Sequence, residues 1–262
     1  MSNTDPIDNR LAIFLAATCS QTYHQFADPD GGFVVPAGFT CAKPLTARAF
    51  GLTKERFGFI LESDHDIIIA FRGTDSTADW ISDMIARQSD FSYVAGAGAT
   101  HRGFTKIYDS VRSQIHETLE RMPHDKKLYI TGHSLGGALA TLCAFDGAYN
   151  TKFRQPIVYT YASPRVGDPT FAAAYNRTIE YNRRIVNEVD IVPLTPPQTY
   201  KPPKSDTAYR YLHVRGAHPL RFQKMSVSEN HSITSYFNAL RELDPVYAQS
   251  LCRRCPGFCP PK

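Results

Sequence analysis

The sequence predicts an α/β protein in which helices cover both faces of a mostly parallel central sheet. Along its 262 residues, short apolar runs rich in β-branched residues alternate with longer segments of helical periodicity, an order typical of parallel sheets. The runs are almost continuously apolar, as expected of strands that are buried on both faces. The predicted strands cover residues 57–61, 67–71, 128–131, 157–161, 184–187 and 211–214.

Helical periodicity marks the segments between these strands. In the first of them, Ile107, Val111, Ile115 and Leu119 recur at every fourth position and form one apolar stripe. Only a short turn at 63–66 separates the first two strands, which predicts an antiparallel hairpin at the front of the sheet. The predicted helices cover residues 105–121, 136–149, 169–176 and 233–243.

The N-terminal segment 11–18 is a short apolar stretch that resembles the core of a secretion signal. Asp5 and Asp8 precede it, whereas a signal peptide carries positive charge there. We therefore expect an amphipathic helix that begins at an Asp or Asn cap. If Met1 is the native start, there is no clear signal peptide and the expectation is a cytoplasmic protein, with secretion by another route left open.

Composition narrows the class of protein. Hydrophobic residues make up 42% of the chain and charged residues 21%, which argues against wholesale disorder. The net charge is +4 and the basic residues are scattered, so we expect no nucleic acid partner. No apolar run approaches the length of about 18 residues that a membrane span needs, so we expect no integral membrane segment. We also expect a monomer.

The domain organisation predicted is a single domain over residues 1–250 followed by a Cys/Pro-rich tail over 251–262, whose end is expected to fray. The tail contains three clustered cysteines: Cys252, Cys255 and Cys259. They could hold a metal with one further ligand, form a disulfide with one spare thiol, or stay unmodified. The other cysteines are isolated in or near apolar segments and are predicted to be small buried residues: Cys19, Cys41 and Cys143.

The most informative motif is Gly-x-Ser-x-Gly at residues 132–136, between a predicted strand and a predicted helix rich in small residues. In this setting the motif is a nucleophile elbow. Gly132 and Gly136 let strand and helix approach closely, which lifts the hydroxyl of Ser134 clear of the sheet. The helix N-terminus then places free N–H groups beside a developing oxyanion. The motif predicts Ser134 as a nucleophile.

A serine nucleophile needs a base that is held by an acid, and in elbow proteins of this kind the acid and then the histidine follow the serine along the chain. Asp190 lies in the loop after strand 184–187, at the carboxyl end of the sheet, where sites of open α/β sheets are built. Asp146 falls within a helix and Asp206 in a Pro/Lys-rich loop, so both are expected to be solvated.

Three histidines follow the serine. His231 lies just before the last predicted helix and is the favoured base. His218 lies in a loop before a proline and is the main rival. His213 falls inside a strand pattern and is expected to be packed.

The chain resembles the lipase class 3 family, the fungal-type triacylglycerol lipases and their relatives. The matching segments occur in family order over roughly residues 10–240. They are 71–74 (FRGT), 79–80 (DW), 101–104 (HRGF), 131–137 (TGHSLGG), 162–167 (ASPRVG) and 187–193 (NEVDIVP), with His231 and Tyr236. The resemblance implies an α/β-hydrolase fold, with no cofactor and no metal.

Carried over to this sequence, the family's catalytic triad falls on Ser134, Asp190 and His231. Its oxyanion hole falls on Thr74, through the backbone N–H and the hydroxyl, and on the backbone N–H of Leu135. Two further motif residues, His101 and Arg165, are expected to make scaffold hydrogen bonds rather than to act in catalysis.

The segment 75–85 overlaps the family's lid. It could be a short amphipathic helix packed permanently on the core, or a flap that opens on lipid. The lid candidates are Asp75, Ala78, Trp80, Ile81, Met84 and Ile85.

The activity that the resemblance implies is cleavage of carboxylic esters of lipids, as a triacylglycerol lipase or carboxylesterase, at a lipid–water interface. Phospholipase and feruloyl-type esterase activities on the same site stay open. A peptidase, a thioesterase and a non-catalytic lipid-binding module are weaker alternatives.

Overall fold

The computed structural model describes residues 7–49, 53–74, 86–202 and 206–261. Within these ranges, seven strands form one sheet in the order β1-β2-β3-β6-β7-β8-β11. These strands are β1 (Thr40–Ala47), β2 (Glu55–Glu62), β3 (Asp66–Phe71), β6 (Lys127–His133), β7 (Ile157–Tyr161), β8 (Asn182–Asn187) and β11 (Ala217–Leu220). Two small two-stranded sheets lie outside it, formed by β4 (Gln88–Asp90) with β5 (Ala99–His101) and by β9 (Thr199–Tyr200) with β10 (Tyr209–Arg210).

The strand directions confirm the predicted mostly parallel sheet. The five strands from β3 to β11 run parallel, and β2 pairs with β3 as the predicted antiparallel hairpin. The edge strand β1 was not predicted, because most of its residues are exposed and it contains a proline. Such a strand carries no apolar run.

The last predicted strand, at 211–214, is wrong. The final strand is Ala217–Leu220 instead, and it pairs in parallel with β8. Tyr211 and Val214 are buried by packing rather than by strand pairing: the Tyr211 hydroxyl donates to the carbonyl of Ala86, and Val214 joins the core. The true edge strand contains a proline and two exposed positions, so it lacks the signature of a buried strand.

Helices cover both faces of the sheet. The four predicted helices are confirmed, and their ends differ from the predicted ends by at most three residues. The expected N-terminal helix is also present. Its cap is Asp8, whose side chain accepts a hydrogen bond from the backbone N–H of Leu11 at 3.0 Å. The helices are α1 (Asn9–Ala27), α2 (Arg102–Arg121), α3 (Leu135–Asn150), α4 (Pro169–Thr178), α5 (Val227–His231), α6 (Ile233–Arg241) and α7 (Pro245–Arg254). No helix in the described ranges is long and apolar enough to cross a membrane.

Alternate side chains of β3 belong to two different cores. Ile67, Ile69 and Phe71 face α2, α3 and α4, whereas Ile68 and Ala70 face α1, α6 and α7. A strand that is buried on both faces explains why its sequence is continuously apolar. The two cores hold the sheet rigid beneath its carboxyl edge, where Thr74, Ser134 and Asp190 follow β3, β6 and β8.

Two expectations about buried groups are wrong. Asp146 was expected to be solvated, but it is fully buried. Its carboxylate accepts hydrogen bonds from Tyr108, Arg112, His116 and Asn150. Burial alone would raise the pKa of Asp146, but these donors hold that pKa far below its usual range. Cys41 is exposed, since it lies on the edge strand β1, while Cys19 and Cys143 are buried as predicted.

The C-terminal segment is packed rather than frayed. Cys252 and Cys259 form a disulfide, and Cys255 is a buried free thiol. Phe258 is fully buried with its ring centroid 5.5 Å from that of Phe14 on α1. An aromatic side chain and a covalent cross-link therefore fix a segment whose prolines and glycine predicted an irregular end.

Candidate active site

The turn between β6 and α3 is tight and strained. Ser134 has φ 59° and ψ −127°, a backbone conformation that residues other than glycine rarely adopt. A Cβ atom at Gly132 would lie 2.1 Å from the carbonyl oxygen of Gly136, and a Cβ atom at Gly136 would lie 2.3 Å from that of Phe71. Strand and helix thus touch through backbone atoms, as the elbow prediction required.

A methyl group at Gly132 is expected to destabilise the fold. Gly132→Ala would force the Gly136 carbonyl outward, and this overpacking should cost about 1–3 kcal/mol of folding free energy. The loss is measurable as a lower thermal midpoint. The substitution should also lower turnover, because it displaces Ser134. Gly147→Ala, in helix α3 that follows the elbow, is the control: its added Cβ meets nothing within 4 Å, so its stability should be equal or higher. Equal midpoints for the two variants would contradict the role of the close approach.

The three side chains carried over as a triad form one chain of hydrogen bonds. Ser134 Oγ lies 2.8 Å from His231 Nε2, and His231 Nδ1 lies 2.8 Å from Asp190 Oδ2. All three residues are at most 2% exposed. Because water is excluded, these hydrogen bonds act at low local dielectric, where they orient the imidazole strongly.

Asp190 is held by donors on both of its oxygens. The hydroxyl of Tyr236, on α6, donates to Oδ2 at 2.9 Å, and the backbone N–H of Val192 donates to Oδ1 at 3.0 Å. Tyr236 in turn accepts from the backbone N–H of Asn187 at 2.8 Å, where β8 ends. The carboxylate is therefore fixed to the sheet.

The other candidate histidines lie elsewhere. His213 donates from Nε2 to the carbonyl of Pro193 at 2.7 Å, and burial lowers its pKa to about 3. His218 lies on the edge strand β11, paired with Ile185 of β8. The imidazole that the fold brings to Ser134 is that of His231.

The loop after β3 runs beside the nucleophile. A Cβ atom at Gly73 would lie 3.0 Å from Ser134 Cβ. The next residue, Thr74, is 8% exposed, and its Oγ1 is buried without a hydrogen-bond partner among the residues that the structure describes. Leu135 is the first residue of α3, so its backbone N–H has no acceptor within the helix. A buried hydroxyl without a partner is costly, and a substrate oxyanion would supply the missing acceptor.

Removing that hydroxyl is expected to separate activity from stability. Thr74→Val keeps the shape of the side chain but deletes the hydroxyl that we expect to donate to the oxyanion, so kcat for an ester should fall about a hundred- to a thousandfold. The thermal midpoint should be unchanged or raised, because a buried polar atom without a partner is lost. Unchanged kcat would exclude the hydroxyl from the oxyanion hole.

Comparison with known proteins agrees with this arrangement of motifs. The family model described as Lipase (class 3) matches residues 68–200, which is half of the chain and includes Ser134 and Asp190. The chain belongs to the class 3 lipase family.

The curated relatives of this chain carry the names of lipases and of phospholipases A1. The chain is 38% identical to a lipase of Rhizomucor miehei over 149 residues, covering 53% of this chain and 40% of that protein. It is 34% identical to Phospholipase A1-II 3 of Oryza sativa subsp. japonica over 166 residues, covering 52% of this chain and 40% of that protein. The chain thus spans about two fifths of the length of these curated relatives.

The fold is shared with a solved triacylglycerol lipase whose catalytic centre is formed by a serine protease triad. That structure matches with a TM-score of 0.60 and 29% identity, covering 71% of this chain and 74% of the other. The α/β-hydrolase fold expected for a class 3 lipase is therefore confirmed.

The two remaining motif residues, His101 and Arg165, make structural contacts. His101 accepts the backbone N–H groups of Gly103 and Phe104 at the start of α2, and burial lowers its pKa to about 4. Arg165 donates to the carbonyls of Leu194 and Pro196. Both contacts are those of scaffold residues, as predicted. Within the described ranges, no group of three metal-ligating side chains is gathered.

The lid candidates lie outside the described residues, since all of them fall within 75–85. Conversely, two side chains near the site were not predicted: Tyr23 of α1 and His133 of the elbow. The Tyr23 hydroxyl lies 2.6 Å from His133 Nδ1, and His133 Nε2 lies 2.6 Å from the carbonyl oxygen of His231. His133 lies inside the motif, but nothing in its spacing indicates which atoms it contacts.

Proposed function

We propose that this chain is a serine hydrolase that cleaves carboxylic esters of lipids through an acyl-enzyme on Ser134. The observation that carries the proposal is the continuous hydrogen-bond chain from Ser134 Oγ through His231 to Asp190, at 2.8 Å for each link. Membership of the class 3 lipase family supports lipid esters as the substrate class.

The geometry suits acyl transfer by general base catalysis. His231 Nε2 takes the proton of Ser134 as Oγ bonds to the ester carbonyl carbon, and Asp190 stabilises the imidazolium that forms. Thr74 and the N–H of Leu135 hold the oxyanion. His231 then gives the proton to the departing alcohol as the carbon–oxygen bond breaks. Water repeats the two steps on the acyl-enzyme and releases the fatty acid.

Covalent labelling tests the nucleophile without knowledge of the natural substrate. A fluorophosphonate should modify Ser134, with mass spectrometry of the peptide locating the adduct. Failure to label, together with no hydrolysis of any p-nitrophenyl ester, would reject the proposal and favour a non-catalytic lipid-binding module. Labelling with turnover of peptides or thioesters in preference to esters would favour a different acyl hydrolase.

The substrate preference is tested by an acyl-chain series. Esters and triglycerides of increasing chain length should be measured below and above their solubility limits. A rate increase above the limit would indicate interfacial activation, whereas smooth saturation would indicate an esterase that acts on dissolved substrate. No hydrolysis of any glycerolipid would restrict the chain to small esters.

Phospholipase A1 activity is the second candidate. It is favoured by the relative from Oryza sativa subsp. japonica that carries that name. A phosphatidylcholine labelled in the sn-1 chain, compared with the matching diacylglycerol, separates the two activities at the same serine.

We further propose that the enzyme acts as a monomer. All the side chains of the proposed triad and oxyanion hole come from one chain, so a second copy is not required to complete the site. Sedimentation at micromolar concentration, with activity measured in parallel, tests this proposal.

A further inference from the structure

We propose that His133 is a positioning residue: as a neutral imidazole, it anchors the backbone of His231 and so holds the His231 ring against Ser134. This inference rests on the proposed serine hydrolase function. It concerns a side chain that adjoins the nucleophile in sequence but contacts the base rather than the substrate.

The hydrogen bonds of His133 specify one tautomer. Its Nε2 lies 2.6 Å from the carbonyl oxygen of His231, which can only accept, so Nε2 carries the proton. Its Nδ1 lies 2.6 Å from the Tyr23 hydroxyl and accepts from it. Both ring nitrogens are thus satisfied by a neutral ring, with no need for a second proton.

The surroundings of His133 also disfavour its charged form. The side chain is buried, and burial, together with the neighbouring His231 ring, lowers its pKa well below the usual value. The ring centroids of the two histidines are 4.7 Å apart. The titratable groups that face it are Tyr23 from α1, His231 from α5 and Tyr236 from α6. When His231 becomes an imidazolium during acyl transfer, a neutral neighbour adds no repulsion.

The segment that carries His231 needs an anchor. Helix α5 has five residues, and His231 is the one buried among them. Its carbonyl lies at the helix C-terminus, where backbone carbonyls lack N–H donors within the helix. His133 supplies the donor, and the amide of Asn187 supplies a second contact to the carbonyl of Asn230 at 3.2 Å. Without His133, a short and mostly exposed helix would hold the catalytic ring.

The anchor ties the base to the same backbone turn as the nucleophile. His133 is the last residue of β6 and Ser134 is the next residue. A shift of the elbow would therefore move the hydroxyl and the anchor of the imidazole together. This coupling keeps the 2.8 Å distance between Ser134 Oγ and His231 Nε2 independent of movements in the loops.

Two substitutions of His133 test the donor directly. His133→Leu deletes it, and His133→Gln places an amide N–H near the position of Nε2. We expect His133→Leu to lower kcat per phosphonate-titrated site about ten- to a hundredfold with KM nearly unchanged, since a misplacement of about 1 Å can cost about a hundredfold. His133→Gln should recover most of the loss. Normalising to titrated sites removes the effect of partial unfolding.

Thr131→Val is the matched control. Thr131 lies two residues earlier on β6, is fully buried, and donates to the carbonyl of Tyr159 at 2.8 Å. Its loss removes a buried hydrogen bond without touching His231, so kcat should stay within about twofold. The proposal is overturned if His133→Leu keeps wild-type kcat per site, or if folded His133→Gln is as slow as His133→Leu.

Histidine NMR of the unmodified protein provides a readout that needs neither a variant nor turnover. With ¹⁵N-labelled imidazoles, His133 should show a protonated Nε2 and an unprotonated Nδ1 from pH 5 to 9. A doubly protonated ring or the opposite tautomer would overturn the proposal, even if the Leu variant fails to fold. If the wild-type protein hydrolyses no ester but shows this tautomer, the proposed function fails and the anchor stands.

Discussion

Replacing Ser134 with alanine is expected to lower kcat for ester hydrolysis on the order of a millionfold, the loss typical of removing the nucleophile from a serine hydrolase. The hydroxyl is the group placed 2.8 Å from His231 Nε2. Alanine keeps the β-carbon and meets the same strain at φ 59°. The folded state should therefore persist while the reaction is lost. Steady-state hydrolysis and phosphonate labelling measure the effect.

The control for this substitution is Ser163→Ala. Ser163 is also buried, and it packs against the same helix, because a Cβ atom at Gly137 would lie 2.7 Å from its Cβ. Its hydroxyl donates to the carbonyl of Pro164, away from His231, so kcat should change less than about tenfold. More than about 1% residual activity in Ser134→Ala would assign the nucleophile to another residue.

The elbow could be predicted from sequence because its physical requirements are local. Two glycines flank the serine at 132 and 136, and the close approach needs their missing β-carbons, because a Cβ atom at Gly132 would lie 2.1 Å from the carbonyl oxygen of Gly136. Asp190 could be placed at the carboxyl edge, because the strand before it was recognised. Position favoured His231 over His218 but left His218 open as a rival, since the outcome depends on how a short helix docks against β6.

Edge elements and buried polar groups escaped prediction for one shared reason: their stabilising contacts come from distant parts of the chain. The strand Ala217–Leu220 owes its place to pairing with β8 and not to its own apolar pattern. Asp146 is buried because α2 brings a tyrosine, an arginine and a histidine to it. Phe258 is held partly by a disulfide whose pairing the spacing of three cysteines left open.

The second large effect is expected for Asp190→Asn, which should lower kcat about ten-thousandfold with little change in volume. The carboxylate accepts on both oxygens, from Val192 N–H at Oδ1 and from His231 and Tyr236 at Oδ2. An amide cannot satisfy both sets, because one of its two positions is a donor. Either orientation therefore costs a hydrogen bond that the aspartate makes.

The two orientations of the asparagine fail in different ways, and both disable the base. With its oxygen kept toward Val192, the amide NH₂ faces His231 Nδ1, which must then accept, so the proton moves to Nε2 and His231 can no longer take one from Ser134. With the amide reversed, His231 keeps its tautomer, but two N–H groups meet at Val192 and the new side chain carries no charge to stabilise an imidazolium.

Tyr236→Phe is the comparison variant, because it removes one donor to Asp190 and leaves the charge and the tautomer intact. Its loss of kcat should therefore be far smaller. Equal losses for the two variants would mean that Asp190 acts by holding the loop in place, whereas a loss confined to Asp190→Asn requires the carboxylate to act on the imidazole itself.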